Sequence, residues 1–214
     1  MPRLLQPELL DSLSPQHPDA LHSRRDLRLT NRIMGNHRWF ARTLPRLLQP
    51  GERILELGAG TGELGDALAL RGVVVDALDL WPAPDPWPDS RTWHRGDLRF
   101  FPDYARYPAL IGNLIFHHFD NAQLAALGTR LRRTARVILA CEPSRRHRSQ
   151  LYFRVVATLL GANHVTLHDG HVSIEAGFIG DELPQLLGLD PAGWAVRCEQ
   201  TFLGAYRMVA VRRP

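Results

Sequence analysis

Lysine is absent from this 214-residue sequence, so all of its 26 basic residues are arginine. With 22 acidic residues the formal net charge is +4, and a basic chain is a candidate for nucleic-acid binding. The arginines are nevertheless scattered, with short clusters only at 130–133 and 145–148. This distribution is more typical of solvated helix faces than of a phosphate-binding surface, so we do not expect a nucleic-acid partner.

Cysteines and long apolar segments are also scarce. Only Cys141 and Cys198 are present, without Cys-x-x-Cys or Cys/His zinc spacing, which excludes a disulfide framework. No apolar run approaches the roughly 20 residues of a membrane span, and no secretory signal pattern is found. We therefore expect a reduced, cytoplasmic protein with no membrane span, and both a monomer and a homodimer stay open.

The sequence does contain a regular alternation of apolar runs and helical patterns, which predicts strands and helices in turn. Such alternation predicts an α/β fold with a mostly parallel sheet and helices on both faces, and two adjacent final strands predict an antiparallel edge. A proline-punctuated arm at 1–26 is expected to precede one domain at 27–214, with a His-rich connector at 164–173. The predicted strands are 53–57, 73–80, 92–97, 109–116, 136–141, 195–201 and 206–211, and the predicted helices are 27–48, 62–70, 121–133, 149–160 and 180–187.

The stretch ILELGAGTG at 54–62 ends a predicted buried strand with an acid and three glycines, and it fits two cofactors. From Gly60 onward, GTGELG matches G-x-G-x-x-G, and Asp79 follows at the distance of a dinucleotide fold's ribose-binding acid. From Glu56 onward, an acid precedes the glycines Gly58, Gly60 and Gly62. A carboxylate there suits a cofactor with a cationic end, such as S-adenosylmethionine, better than a pyrophosphate.

Later strand ends favour the sulfonium cofactor. Asp79 ends the second strand and is placed to accept both ribose hydroxyls, and Trp81 follows where a ring can cover the adenine. Asp97 ends the third strand, where it can receive the adenine amino group, and Asn113 with Leu114 ends the fourth, beside the methyl donor. Ligands of parallel sheets bind at this carboxyl edge. A dehydrogenase would also need a separate substrate domain, for which the chain has no room.

The segments ILELGAGTGELG, VDALDL, HRGDL and NLIFHHF together resemble the class I S-adenosylmethionine-dependent methyltransferases over roughly residues 27–214. The resemblance implies a Rossmann-like, doubly wound, seven-stranded sheet whose last strand is reversed. NRIMGNHRWF and NLIFHHF are more similar to the branch with quinone and polyketide methyltransferases than to the nucleic-acid branches. The cofactor-binding residues that we expect are Glu56, Gly58, Ala59, Gly60, Gly62, Asp79, Leu80, Trp81, Asp97, Leu98, Asn113 and Leu114.

The expected reaction is methyl transfer to a small aromatic, polyketide-like or quinone-like acceptor, at a hydroxyl or a ring carbon. A phenol reacts faster as its oxyanion, so His117 or His118, which follow the fourth strand, is the candidate general base. Both histidines equally fit ordinary packing. The pair His168-x-x-His171 lacks a third strong ligand, so we expect no metal site. An RNA methyltransferase and a non-catalytic module with the same fold are the alternatives.

Overall fold

The fold is an α/β layered structure built on one seven-stranded sheet. The computed structural model describes residues 1–14 and 16–214, so Pro15, one of the prolines of the predicted arm, lies outside the described residues. The strands are β1 (Ile54–Leu57), β2 (Val75–Asp79), β3 (Trp93–Arg95), β4 (Ala109–Asn113), β5 (Val137–Pro143), β6 (Trp194–Gln200) and β7 (Ala205–Arg212).

The strand order is β3-β2-β1-β4-β5-β7-β6. From β1 the chain adds β2 and β3 toward one edge of the sheet and then adds the later strands toward the other edge, so the order of addition reverses between β1 and β4. The first five strands pair in parallel, whereas β7 lies antiparallel between β5 and β6. The predicted mostly parallel, seven-stranded sheet with a reversed last strand is therefore confirmed. The carboxyl ends of β1 and β4, at the reversal, form the edge where ligands of such sheets bind.

Helices cover both faces of the sheet, as predicted. One core packs the sheet against α5 (Asn121–Thr134) and α8 (Glu182–Leu186), and the other packs it against α3 (Asn36–Thr43) and α4 (Glu63–Ala69). The strands β1 and β5 are buried at every residue. Two-sided burial explains why these strands are largely apolar in the sequence and do not alternate between apolar and polar residues.

The helix predicted at 27–48 differs from the structure at both ends and in the middle. Helix α2 (Pro18–Met34) begins earlier, because His17 caps it and Pro18 occupies its first position. Gly35 then ends α2 in the left-handed region with a φ of 68°, and α3 continues after it in a new direction. Helix α2 thus crosses the boundary at residue 27 that we predicted between the arm and the domain.

The predicted connector at 164–173 is wrong, because those residues form most of helix α7 (His164–Ala176). Asn163 caps this helix by accepting the Thr166 N–H. Its helical period is obscured in the sequence since the helix is buried on several sides, packing against α2, α6 (His147–Leu159) and α1 (Leu9–Ser12). Gly170 permits the α6 contact, because a Cβ at this position would lie 2.0 Å from the Phe153 ring.

The N-terminal segment, residues 1–12, lies against α7 and the loop after β4. The Arg3 guanidinium donates to the carbonyl oxygens of Phe119 and Ala176 at 2.6 and 2.8 Å. Asp169 of α7 accepts the backbone N–H groups of Leu9 and Leu10, which begin α1. Within the described residues, no helix is long and apolar enough to cross a membrane.

Candidate cofactor and acceptor site

The glycine turn after β1 has positive φ at Gly58, Gly60 and Gly62, so a side chain at any of them is strained. Their surroundings differ. A Cβ on Gly58 would lie 2.5 Å from the Ile115 side chain, whereas a Cβ on Gly60 would meet nothing within 4 Å. Gly58 is thus required by packing, and Gly60 lines an open cradle against which a ligand can approach the backbone. Ala59, between them, is buried.

Asp79, at the end of β2, is tied to this turn. One oxygen of its carboxylate accepts the Gly60 N–H at 2.8 Å and the other accepts the Trp81 N–H at 2.9 Å. Each carboxylate oxygen keeps a further lone pair for another donor. The carboxylate therefore lies beside the open cradle with unused accepting capacity, while Leu80 and Trp81 stand exposed next to it.

Glu56 is buried and its carboxyl group lies toward α4. A Cβ on Gly65 would lie 3.7 Å from Glu56 Oε2 and 2.6 Å from Arg91 Nη1, so Gly65 makes room for both side chains. Burial raises the pKa of Glu56 to about 8, although the Arg91 charge opposes this rise. The third glycine of G-x-G-x-x-G thus accommodates an internal acid and arginine rather than a pyrophosphate.

The residues that follow β3, at the same carboxyl edge of the sheet, include the predicted cofactor residues Asp97 and Leu98. Asp97 accepts the Arg99 N–H at 2.8 Å, and it forms an ion pair with the Arg99 side chain. That bonding holds the pKa of Asp97 below its usual value. The backbone just before Asp97 is fixed beside β2, because the Gly96 N–H donates to the Asp79 carbonyl oxygen. Leu98, another predicted cofactor residue, directs its side chain into the core.

The end of β4 carries the only non-glycine residue with positive φ among the described residues, Leu114, with a φ of 57°. Such a conformation is unfavourable for a side chain with a Cβ and is typical of functional sites. The Leu114 N–H donates to the Cys141 carbonyl oxygen, which holds the strained turn in place. As predicted from the sequence, Asn113 and Leu114 lie at the carboxyl edge, next to the strand that leads into the glycine turn.

His117 and His118 lie in a 3₁₀ turn at Phe116–His118, because β4 ends at Asn113 rather than at residue 116. His117 Nδ1 is 2.7 Å from the fully buried Glu142, and its Nε2 is 3.5 Å from Glu8 of the N-terminal segment. Although burial alone lowers the pKa of His117, the two carboxylates raise it to about 9. His117 is therefore an imidazolium ion held between two acids at neutral pH.

The neighbouring His118 is neutral at the same pH. Its ring lies 4.3 Å from the His117 ring, and burial together with the His117 charge lowers its pKa to about 4. Glu8, His117 and His118 bring their ligand-type atoms within 4.8 Å of one another, a spacing that a metal ion also accepts. Glu8 and Glu142 each lie beside one ring nitrogen of His117, so a proton on each of these nitrogens accounts for the close approach of the acids to the ring.

The other histidine pair lies away from this cluster, on the exposed side of α7. The side chains of His168 and His171 are 44% and 57% exposed, and their ring nitrogens lie beside Asp169 and Glu175 respectively. Each histidine thus has its own carboxylate partner instead of sharing one site.

A cavity of about 170 Å³ lies between α2, α6 and α7, at the carboxyl edge of the sheet. Its walls are mainly apolar, with Met34, Tyr152 and Phe153 among them, and Leu114 and His118 line it at the end of β4. The N-terminal segment contributes Glu8 and Leu10 to the lining. The cavity therefore adjoins the predicted cofactor edge and is partly covered by residues that the sequence assigned to an arm.

Several residues of the site escaped the sequence analysis. Glu142 has the same signal as Glu56, an acid directly after a buried apolar run, and it could have been found by that pattern. Glu8 and Arg91 have no local signal, because they meet the site only through tertiary packing. Asn31 and Asn36 lie in the segment NRIMGNHRWF, which contributed to the resemblance, but no role was predicted for them.

Comparison with known proteins gives no match to a family model and no match to a curated protein sequence. Solved structures do match. The plantazolicin methyltransferase BpumL in complex with S-adenosylhomocysteine (SAH) has a TM-score of 0.69 over 93% of this chain and 92% of that chain, at 11% identity. The chain has the S-adenosylmethionine-dependent methyltransferase fold.

Two further structures agree with this fold at lower TM-scores. Magnesium protoporphyrin IX methyltransferase (ChlM) from Synechocystis PCC 6803 with bound SAH has a TM-score of 0.53 and 16% identity, covering 86% of this chain and 83% of that one. The pyocyanin biosynthetic protein PhzM has a TM-score of 0.57 and 22% identity, covering 92% of this chain and 60% of that one. The fold expected from the sequence motifs is thus confirmed.

Proposed function

We propose that this protein is an S-adenosylmethionine-dependent methyltransferase acting on a small-molecule acceptor. One observation carries the proposal: an acceptor-sized apolar cavity adjoins Leu114 and His118, at the same sheet edge as the open cradle at Gly60. Methyl transfer needs both reactants in line and shielded from water, and such adjacency is what that reaction requires. The similarity to methyltransferases crystallised with SAH supports it.

The residues at the edge fit the cofactor. The bare Gly60 backbone lets a large ligand approach, and Asp79 keeps acceptor capacity for ribose hydroxyls beside it. The exposed Trp81 side chain offers an apolar ring face for the adenine, and Asp97 follows the end of the neighbouring strand β3. S-adenosylmethionine supplies an electrophilic methyl group on a sulfonium sulfur when it is bound.

The cavity lining favours an uncharged, flat acceptor. Among the described residues that line it there is no arginine, while Glu8, Asp26 and Asp169 bring acids to its wall. An anionic acceptor such as a carboxylate or a phosphate would be repelled there. Tyr152 and Phe153 provide aromatic contact area. We infer that the acceptor is an aromatic, polyketide-like or quinone-like molecule methylated at a hydroxyl or a ring carbon.

His118 is the residue that we assign to the acceptor proton. An imidazole with a pKa of about 4 cannot ionise a free phenol of pKa about 10 beforehand, because that transfer is uphill by about 8 kcal/mol. A hydroxyl oxygen that gains the methyl group becomes strongly acidic, and His118 can then take its proton. His117, with both ring nitrogens facing carboxylates, serves to position His118 and the turn.

Calorimetric titration with SAH and with NADH tests the cofactor. We expect SAH to bind and NADH to show no measurable binding. Binding of NADH without SAH would refute the proposal, because the dinucleotide interpretation of G-x-G-x-x-G would then hold.

Transfer of a labelled methyl group tests the reaction, with phenols, hydroquinones, aromatic carboxylates and RNA as acceptors. We expect label only in neutral aromatic acceptors. His118→Asn should lower kcat by about 10- to 100-fold without changing SAH affinity. The matched variant His171→Asn, on the exposed side of α7, should leave both unchanged. Label in RNA, or SAH binding with no transfer to any acceptor, would support the alternatives instead.

A further inference from the structure

Three acids lie on the wall of the apolar cavity, and two of them are compensated inside the protein. Asp169 accepts two backbone N–H groups of α1, one on each carboxylate oxygen. Glu8 faces the imidazolium ion of His117. The third acid, Asp26 of α2, has neither two backbone donors nor an arginine beside it among the described residues.

The partners of Asp26 reach only one of its two oxygens. Oδ2 accepts the Thr166 hydroxyl at 2.9 Å, and His22 Nε2 lies 3.5 Å from the same oxygen. Oδ1 receives no hydrogen bond from residues 1–14 and 16–214, and these residues do not enclose it. Asp26 is 7% exposed and belongs to the cavity wall. A buried oxygen without a donor is unfavourable, and a carboxylate only accepts, so the missing partner is an O–H or N–H group.

Asp26 lies far along the cavity from the end at the sheet. At that end, a ring nitrogen of His118 lies within 4.8 Å of a Glu8 carboxylate oxygen, and Glu8 accepts a hydrogen bond from Ser173 of α7. Thr166, the partner of Asp26, is seven residues earlier on α7. At a rise of 1.5 Å per residue, this separation is about 10 Å.

Helix α2 gives a similar length. Met34, the last residue of α2, lines the cavity, and its carbonyl oxygen accepts a hydrogen bond from Arg207 of β7, so this end of α2 lies at the sheet. Asp26 is eight residues earlier on the same helix, about 12 Å away. Along α7, Phe153 packs against Gly170 and adds an aromatic wall to the cavity. The cavity is therefore elongated and mainly apolar, with an uncompensated acceptor oxygen far from the sheet.

We propose that Asp26 accepts a hydrogen bond from an O–H or N–H group of the methyl acceptor, at the end remote from the methylated atom. This inference rests on the proposed function and narrows its acceptor class to elongated aromatic molecules with a second polar hydrogen. A single phenol ring cannot span about 10 Å, whereas a biaryl or a linear fused-ring molecule with a hydroxyl at each end can.

A carboxylate at this place selects acceptors in two ways. A molecule with the distal donor gains a charge-assisted hydrogen bond, which is stronger than a bond between neutral groups. A molecule of the same length without the donor fills the cavity and leaves the Asp26 oxygen desolvated and unpaired, which lowers its affinity. The distal group therefore determines which flat, apolar molecules are held in place for methyl transfer.

The test titrates the SAH-loaded protein with two neutral probes of equal length, 4,4′-dihydroxybiphenyl and 4,4′-dimethoxybiphenyl. Calorimetry should show that the wild type prefers the dihydroxy probe by about tenfold or more, and Asp26→Ala should lower this preference by about tenfold. Asp103→Ala, which removes an exposed acid outside the cavity, is the matched control and should leave the preference unchanged. Hydroquinone, which is one ring long, should bind the wild type at least about tenfold more weakly than the dihydroxy probe.

A preference that stays the same in Asp26→Ala would overturn the inference, as would a wild type that binds SAH but neither biphenyl. Asp26→Asn keeps an acceptor oxygen without its charge, so it should show a preference between those of the wild type and Asp26→Ala. A preference in Asp26→Asn equal to that of the wild type contradicts the inference even if the alanine variant fails to fold. Hydroquinone binding as tightly as the dihydroxy probe would contradict the length. If the wild type does not bind SAH, the proposed function itself fails.

Discussion

Replacing Glu142 by glutamine tests its ion pair with His117, beneath the 3₁₀ turn at Phe116–His118. The Glu142 carboxylate accepts the backbone N–H groups of Ile115 and Phe116 on one oxygen and those of His117, from its backbone and its ring, on the other. Glutamine keeps the size of the side chain, but its NH₂ group cannot accept hydrogen bonds. In either orientation of the amide, this group faces two donors, and the two hydrogen bonds that the oxygen accepted there are lost. The variant also removes one of the two charges that hold His117 as an imidazolium.

The magnitude follows from the pKa of His117. A rise from 6.5 to about 9 corresponds to about 3 kcal/mol of stabilisation for this buried residue, shared between Glu142 and Glu8. A group with a raised folded-state pKa contributes fully below its unfolded pKa, and this contribution declines as the pH rises through the folded value. The pH-dependent part of the loss in Glu142→Gln should therefore be greatest near pH 6 and small above pH 9.5.

Other charges around His117 define the acid side of this window. Glu8 faces His117 from the N-terminal segment, and although burial alone raises its pKa, the bond to His117 lowers it to about 2. Its contribution is present above its usual pKa of 4.5 and declines as the pH falls through 2. His118 stacks on the ring and is uncharged over the same range. The ion-paired cluster is thus most stabilising at about pH 5–6.5.

Thermal melting between pH 5 and 10 measures the effect. A loss of about 2–3 kcal/mol lowers Tm by about 5–10 °C in a chain of this size, so the wild type and Glu142→Gln should differ by that amount at pH 6 and by clearly less at pH 9.5. The control Glu199→Gln removes a half-exposed ion pair with Arg207, and it should cost less than about 1 kcal/mol. A Tm difference for Glu142→Gln that is constant or increases with pH would refute the reasoning.

Three further predictions concern the turn, the helix pair and the N-terminal segment. Gly60→Ala and Gly51→Ala introduce the same left-handed strain in open space and should lower Tm equally, but only Gly60→Ala should weaken SAH binding in calorimetry; equal SAH affinities would contradict the cradle. Gly170→Ala should destabilise the protein by about 1–3 kcal/mol in urea unfolding, because its Cβ meets the Phe153 ring, and Phe153→Leu in the same chain should recover part of that loss; no loss would show that α6 and α7 separate easily. Arg3→Ala should speed limited proteolysis of the N-terminal segment without changing SAH affinity, since Arg3 anchors that segment to the loop after β4; unchanged cleavage would show that other contacts suffice.

Much of the sheet was predictable because its signals are local. The strands β1, β2, β4 and β5 are largely apolar, and the reversed β7 followed from two adjacent strands near the end of the chain. Helix α7 was missed, because burial on several sides removes the period by which an amphipathic helix is recognised. The break at Gly35 was also missed, although glycine is the usual residue for a helix end in the left-handed region.

The sequence by itself determined the fold and the edge of the sheet where we propose that the cofactor binds, because glycines, acids and apolar runs act through neighbouring residues. Only the tertiary structure decided how the charges pair. Glu8 and Glu142 reach His117 from segments more than 100 and about 25 residues away, and they set opposite protonation states for two adjacent histidines. The same holds for Asp26, which meets the Thr166 hydroxyl on the cavity wall only because α2 and α7 pack against each other. Such properties depend on distances between remote residues, which no local pattern encodes.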